Sequence, residues 1–400
     1  MDPSASQLVP RPERLDGIDL LRGTIMIVMA LDHVRDFVSD RLLIDPTDLT
    51  KTTPALFLTR WITHYCAPTF IFLAGTGAFL AGTRGKSKRG LSWFLFTRGL
   101  WLAIFEITIN RALWMFNYDL HVYGAGVFWA IGLSMIVLAA LVYLPTPIVA
   151  AFGLMMIGYH NLLDGIQVEK DGPLKLLWVI LHSPNEVPIF EGSSFKFGTG
   201  YCLIPWAGVM AAGYGFGAFF RLDRPTRQWW FAFLGLFLIV NFVLLRALNI
   251  YGDPRPWERQ VDFDRTVLSF INCTKYPPSL LYLLMTFGPA ILALSIFDRP
   301  LGVWSKPIIT FGRVPFFFYL LHIPLIHGLA IVIDRIRFGW SPQATAGPWE
   351  LSTMTLPPGY GVGLAEVYGL WILVVLLLYL PCRWFAGVKA RNKSAWLSYA

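Results

Sequence analysis

Apolar residues run in long blocks broken by short polar stretches along nearly the whole chain. Crossing about 30 Å of hydrocarbon as helix takes roughly 20 residues. The blocks predict ten such spans, near 17–38, 58–82, 92–113, 125–144, 146–162, 199–220, 228–250, 277–297, 308–334 and 362–384. The stretches between them alternate in character. TRGKSKRG at 83–90, RLDRPTR at 221–227 and DRPLGVWSK at 298–306 are short and basic, as is RWFAGVKARNK near the C-terminus. Those at 39–57, 163–198, 251–276 and 335–361 are longer and carry acids such as Asp40, Asp45, Asp48, Glu169, Glu186 and Asp253. Short basic loops face the cytoplasm, so both ends of the chain are expected there, N-in and C-in. The span at 146–162 is the weakest, because LPTP at 144–147 leaves room only for a tight hairpin before it.

Composition sharpens this into a class. Of 400 residues, 55% are hydrophobic and only 14% charged, with a mean hydropathy of +0.54, which excludes a soluble enzyme on a tether. The expectation is an all-α integral membrane protein, a polytopic bundle of about ten transmembrane helices. It forms one domain over 1–400, with cytoplasmic segments at 1–16 and 385–400. The net charge of +8 sits mainly in the inter-helix loops, so it reports topology and not a nucleic-acid partner. The lipid bilayer is the partner it implies, and a homo-oligomer is compatible with it. Cys66, Cys202, Cys273 and Cys382 have no CxxC spacing, so neither a metal nor a redox motif is indicated, and a Cys202–Cys273 bridge is not the expected state. No secretory signal pattern opens the chain. No internal repeat is visible, which argues against a transporter built on symmetry.

Ionisable groups inside a membrane are expensive and normally face protein or a water-filled path. The first span holds Asp19, Arg22, Asp32, His33, Arg35 and Asp36. At 100° per residue Asp19, Arg22 and His33 fall within an arc of about 60°, and His33 stands about 16 Å above Arg22. That makes a polar column from the inner end to the outer half. Asp19 and Arg22 suit either an ion pair anchoring the helix start or a functional pair. Asp32 suits neutralisation by Arg35 one turn on or by a basic group of another helix, but with His33 it reads rather as functional, a carboxylate beside an imidazole that titrates near neutrality. Arg60 and His64 lie one turn apart at the start of the second span, where His64 is a candidate partner for His33. Arg98 opens the third span, and Arg313 and His322 belong to the ninth, where His322 fits a hydrogen bond to a neighbouring helix as well as chemistry. Lys275 and Tyr276, in the outer loop INCTKYPPSLL, offer polar and stacking faces for a saccharide, or act as ordinary interfacial groups.

RLDGIDLLRGTIMIVMALDH resembles the opening signature of the bacterial relatives of heparan-alpha-glucosaminide N-acetyltransferase, and the resemblance continues through WITHYCAPTFIFLAGTGAFL and GRVPFFFYLLHIPLIH. The pattern R-x-x-x-x-D-x-x-R-G, Arg14 through Gly23, is also similar to that of integral-membrane sugar O-acyltransferases. The resemblance implies a multi-pass protein of the bacterial inner membrane that moves an acetyl or short acyl group from cytosolic acetyl-CoA, its donor substrate, to an extracytoplasmic glycan or other acceptor, through a sugar hydroxyl or amine. His33, with Asp32 and His64, then forms the catalytic set. Arg22, Asp19, Arg98 and Arg313 serve the acyl-CoA, and Arg60, His322, Lys275 and Tyr276 serve the acceptor. No metal is expected. The competing class is a proton-coupled transporter or exporter, because membrane columns of Asp, His and Arg also form proton relays.

Overall fold

The computed structural model describes residues 15–42, 44–117, 119, 121–169, 172–351 and 354–392. Most of the expected N-terminal segment, Arg14 of the signature included, and residues 393–400 of the expected tail lie outside them. Ten helices run back and forth: α1 (Asp16–Val38), α2 (Pro54–Thr83), α3 (Lys88–Met115), α4 (Val127–Leu141), α5 (Thr146–Leu163), α6 (Leu203–Arg221), α7 (Arg224–Leu248), α8 (Leu280–Phe297), α9 (Pro315–Phe338) and α10 (Leu364–Arg391). Eight of them are long and apolar enough to cross a membrane on length and composition. The exceptions are α4, with 15 residues, and α1, where every 18-residue window holds more than two charged side chains. The protein is an all-α polytopic membrane protein, as the apolar blocks require.

Helix starts are written in the sequence. Thr53, Ser87, Asp223 and Ser279 each accept a hydrogen bond from a backbone N–H of the turn they precede, and proline follows Thr53 directly, where its missing N–H costs nothing. The ninth span is split. A short helix, Lys306–Arg313, ends at Val314 before α9 begins at Pro315, because proline forces the residue ahead of it out of helical conformation. The expected tight hairpin is present between α4 and α5. α10 runs on to Arg391, so residues 385–391 are helix.

The alternation gives the bundle two unlike ends. At the basic end lie the starts of α1, α3 and α7, the short helix Lys306–Arg313 and the end of α10. At the loop end the longer connections gather, including a small sheet in the order β1 (Val122–Ala125), β3 (Lys196–Thr199), β2 (Glu186–Pro188), with β1 parallel to β3 and β2 antiparallel to it. α1 occupies the middle, packed against α2, α8, α9, α10 and Lys306–Arg313. α7 and α10 expose apolar faces such as Leu236, Phe237, Leu376 and Leu380, a surface suited to lipid. All four cysteines are free and buried.

Candidate active site

A cavity of about 390 Å³ opens between α1, α2, α3, α4 and α9. Arg22, Arg98, Arg313 and Lys389 supply its cationic side chains; Met26, Met29, Phe70 and Phe316 are among its apolar walls, and Tyr319 also borders it. Arg22, Met26, Met29 and then His33 follow one another at helical spacing on α1, so the polar column expected from the sequence is one wall of this cavity continued to its end. Gly23 and Gly312 set the cationic portion. A Cβ on Gly23 would stand 1.9 Å from the Ile308 carbonyl oxygen, and one on Gly312 would stand 1.8 Å from that of Asp19. Only glycine lets the two backbones touch here. The contact brings Arg22 Nη1 to donate to the Gly312 oxygen at 3.2 Å, and Arg313 Nη2 to Asp16 at 3.0 Å. Asp19 lies between the two arginines, 3.3 Å from Arg22 and 3.7 Å from Arg313, and so orients them.

At the other end of the column His33 Nδ1 is 2.6 Å from His322 Nε2. The hydrogen positions follow from the partners. His322 Nδ1 donates to the Tyr319 carbonyl at 2.7 Å, so in the neutral ring Nε2 carries a lone pair, and His33 Nδ1 donates to it. The remaining nitrogen of His33, Nε2, is the basic one. His33 is half-buried and His322 fully buried. The Trp114 ring stands edge-on to His33 at 4.9 Å and its indole N–H donates to the Tyr319 hydroxyl at 3.0 Å. Tyr319 therefore accepts from one side and has its own hydroxyl hydrogen to give. Behind it Asn110 donates to Glu106, whose carboxylate accepts the Gly126 and Phe128 N–H groups at the start of α4. These two residues lie in a π-helical turn, Glu106–Asn110, that bulges α3 toward α4.

Asp32 faces a different way. Its carboxylate accepts from Arg60 of α2 and lies 2.9 Å from Arg35, which also pairs with Asp36 at 2.5 Å. His64 is buried near this pair, with its Nδ1 lacking a hydrogen-bond partner among the described residues. The structure thus joins His33 to His322 across 289 positions, and Asp32 to Arg60, without a hydrogen bond or ring contact between His33 and His64 among the described residues. Lys275 and Tyr276 sit above, on a turn closed by the Lys275–Pro278 bridge. Asp253 anchors that turn through Thr274 and Ser279, and His160 through Pro278. Burial opposes ionisation of the Tyr276 phenol, yet Lys275 and Arg60 hold it below the usual tyrosine range, while burial raises its hydrogen-bonded neighbour Tyr201. Tyr319, Trp114, Arg35 and Lys389 were not legible as site residues. Tyr319 and Trp114 are aromatics within apolar spans and carry no polar signal of their own in the sequence, and Lys389 falls in the expected cytoplasmic end.

The catalytic family of heparan-alpha-glucosaminide N-acetyltransferase matches residues 14–251, more than half of the chain. The chain belongs to that family. Membership places it among membrane acetyltransferases and agrees with the signature read on α1. No curated protein matches it. The matched region carries Arg22, His33, Arg60 and Arg98, whereas Lys275, Arg313, Tyr319, His322 and Lys389 lie beyond it. In this acetyltransferase the histidine pair therefore joins a residue inside the family match to one outside it.

Proposed function

We propose that the protein transfers an acetyl or short acyl group from cytosolic acyl-CoA to a sugar hydroxyl or amine on the extracytoplasmic side of a bacterial inner membrane. The observation that carries the reading is the cavity. Four cations suit the phosphates of CoA, the apolar walls suit the pantetheine arm and acyl chain, and the cavity borders Tyr319 beside the paired histidines. The basic end is then the cytosolic one, consistent with its short charged loops.

In this reading the acceptor approaches His33 Nε2 from the loop end. Nε2 takes the proton of the attacking O–H or N–H as the new C–O or C–N bond forms at the thioester carbon. The negative charge gathers on the carbonyl oxygen, where the Tyr319 hydroxyl donates to it. The C–S bond then breaks, and the proton on His33 passes to the departing thiolate, leaving free CoA and acylated acceptor. His322 fixes the tautomer and ring of His33 and is a positioning residue, as is Trp114 for Tyr319. Asp32 is held by Arg60 and Arg35 and makes no hydrogen bond to the ring among the described residues, so its charge acts on His33 through space.

The test uses purified protein in nanodiscs with acetyl-CoA, a panel of amino and neutral sugars, and thiol release as the readout. His33→Ala is expected to lower kcat by about 10²- to 10⁴-fold, the usual range for general acid–base catalysis, with acetyl-CoA binding retained. Arg98→Ala and Arg313→Ala are expected to raise the KM for acetyl-CoA more than they lower kcat. Near-full turnover in His33→Asn with a dead His64→Asn would move the base to His64. Failure of the wild type to release thiol with any acceptor would favour transport over transfer.

A further inference from the structure

A second hollow, of about 570 Å³, lies at the loop end, walled by side chains from 164–169 and 175–187 and by Pro254, Thr274, Tyr276 and Pro277. Its aromatic faces are Trp178 and Tyr276, both held in place. The Trp178 indole N–H donates to the Ile166 carbonyl at 3.0 Å. Tyr276 packs on Gly200, where a Cβ would come within 2.7 Å of the ring, and stands edge-on to Tyr201 at 5.4 Å.

The polar lining consists mostly of acceptors. Its charged side chains among the described residues are Asp164, Glu169 and Glu186 against one lysine, Lys175, and Glu186 shares its charge with Lys196 at 3.1 Å. His182, only 3% exposed, donates from Nε2 to Asp164 at 2.8 Å. In the neutral ring its Nδ1 is then a lone pair, and it is buried without a partner among the described residues. Rigid aromatic faces with convergent acceptors suit a ligand rich in hydroxyl or ammonium donors. The hollow is also tied to the candidate active site, because Tyr276 borders it while interacting electrostatically with Arg60, the partner of Asp32. Small-molecule sites run to about 300–1,000 Å³, and this volume has room for roughly two or three sugar rings.

We infer that this hollow holds the sugar units next to the one that is acylated, so that the acceptor is an oligosaccharide that is neutral or amine-bearing, and not a sulfated or uronate-rich one. This rests on the acyl-transfer reading above. Three carboxylates to one lysine in the lining disfavour an anionic chain, and the Trp178 face gives a neighbouring ring a place to stack, while the Tyr276 ring lies under the Lys275 ammonium at 5.1 Å.

Two measurements separate this inference from the reading beneath it. Thiol release from acetyl-CoA is compared for glucosamine, its β-1,4-linked trimer, the N-acetylated trimer and a sulfated uronate-containing oligosaccharide of the same length. Saturation-transfer NMR of each saccharide without acetyl-CoA reports binding alone. The wild type is expected to show kcat/KM at least about tenfold higher for an uncharged or amino trimer than for its monosaccharide, about 1.4 kcal/mol. Trp178→Ala is expected to bring that ratio near one and to remove the NMR signal of the trimer. Because the ratio is taken within each variant, loss of folded protein does not mimic it. Thiol release with a wild-type ratio near one would overturn the inference and leave acyl transfer standing. A preference for the sulfated chain would overturn the class of acceptor. Trimer binding without thiol release from any acceptor would overturn the acyl-transfer reading, and the inference with it.

Discussion

Removing the Asp32 carboxylate would leave Arg60 and Arg35 facing each other with one fewer counter-charge in a largely buried site. Breaking such a pair from one side costs about 3–5 kcal/mol, because the remaining charge stays desolvated and unpaired. Asp32→Asn is therefore expected to lower the thermal midpoint in nanodiscs markedly. Adding Arg60→Leu should recover part of the loss, and strictly additive losses would show that the two side chains do not depend on each other. The sequence made Asp32 conspicuous and offered Arg35 or a basic group of another helix as its counter-charge beside a role with His33; adjacent helical residues point about 100° apart, and both cationic partners are present. Its carboxylate turns to α2, while His33 turns to α9. Arg60 and His322 were both visible as polar groups in apolar spans. Which carboxylate or imidazole each would meet depends on how helices far apart in the chain are rotated, and no spacing within one helix encodes that.

Among the elements, the Arg22–Gly23 step of α1 combines a cavity cation with the glycine that lets Lys306–Arg313 approach. Gly23→Ala is expected to cost about 1–3 kcal/mol through overpacking and to raise the KM for acetyl-CoA, since Arg22 and Arg313 are positioned across that contact. Gly369→Ala in α10, where an added Cβ meets nothing within 4 Å, is the matched control and should change neither. Equal behaviour of the two variants would mean that the close crossing is not needed. The expected span at 308–334 runs unbroken through Pro315, although the sterics that break the helix there are local, and the use of Gly23 depends on the Ile308 backbone of another element. The π-helical turn at Glu106–Asn110 was not readable: its extra residue is stabilised by Glu106 binding the start of α4, a partner supplied by another helix. Trp114 and Tyr319 were hidden for a similar reason, since an aromatic in an apolar span has the same pattern whether it meets lipid, core or a reacting group.

For the whole molecule, the back-and-forth path of the ten helices puts Lys88 and Glu191 at opposite ends of the bundle. With the native cysteines buried, Lys88→Cys and Glu191→Cys in intact cells are expected to react with an impermeant thiol reagent from opposite sides, Glu191→Cys from outside. Labelling of both from one side would overturn the path of the chain. This level was the most legible, because the length and polarity of each block are set by the bilayer itself. The cavity was only half legible, as its walls come from five long helices with Arg313 of the short helix and Lys389 of α10, and only the α1 stripe has a period of its own. One feature at its end bears on the route of a proton. The line from His33 through His322 stops at the Tyr319 peptide carbonyl, which has no hydrogen to pass on and holds an added one only weakly. A proton picked up at His33 therefore has to leave from His33. In the proposed reaction that exit is the departing thiolate, so each proton taken from the acceptor is matched by one acyl group passed the other way, and the histidine pair itself offers no through-route for a proton.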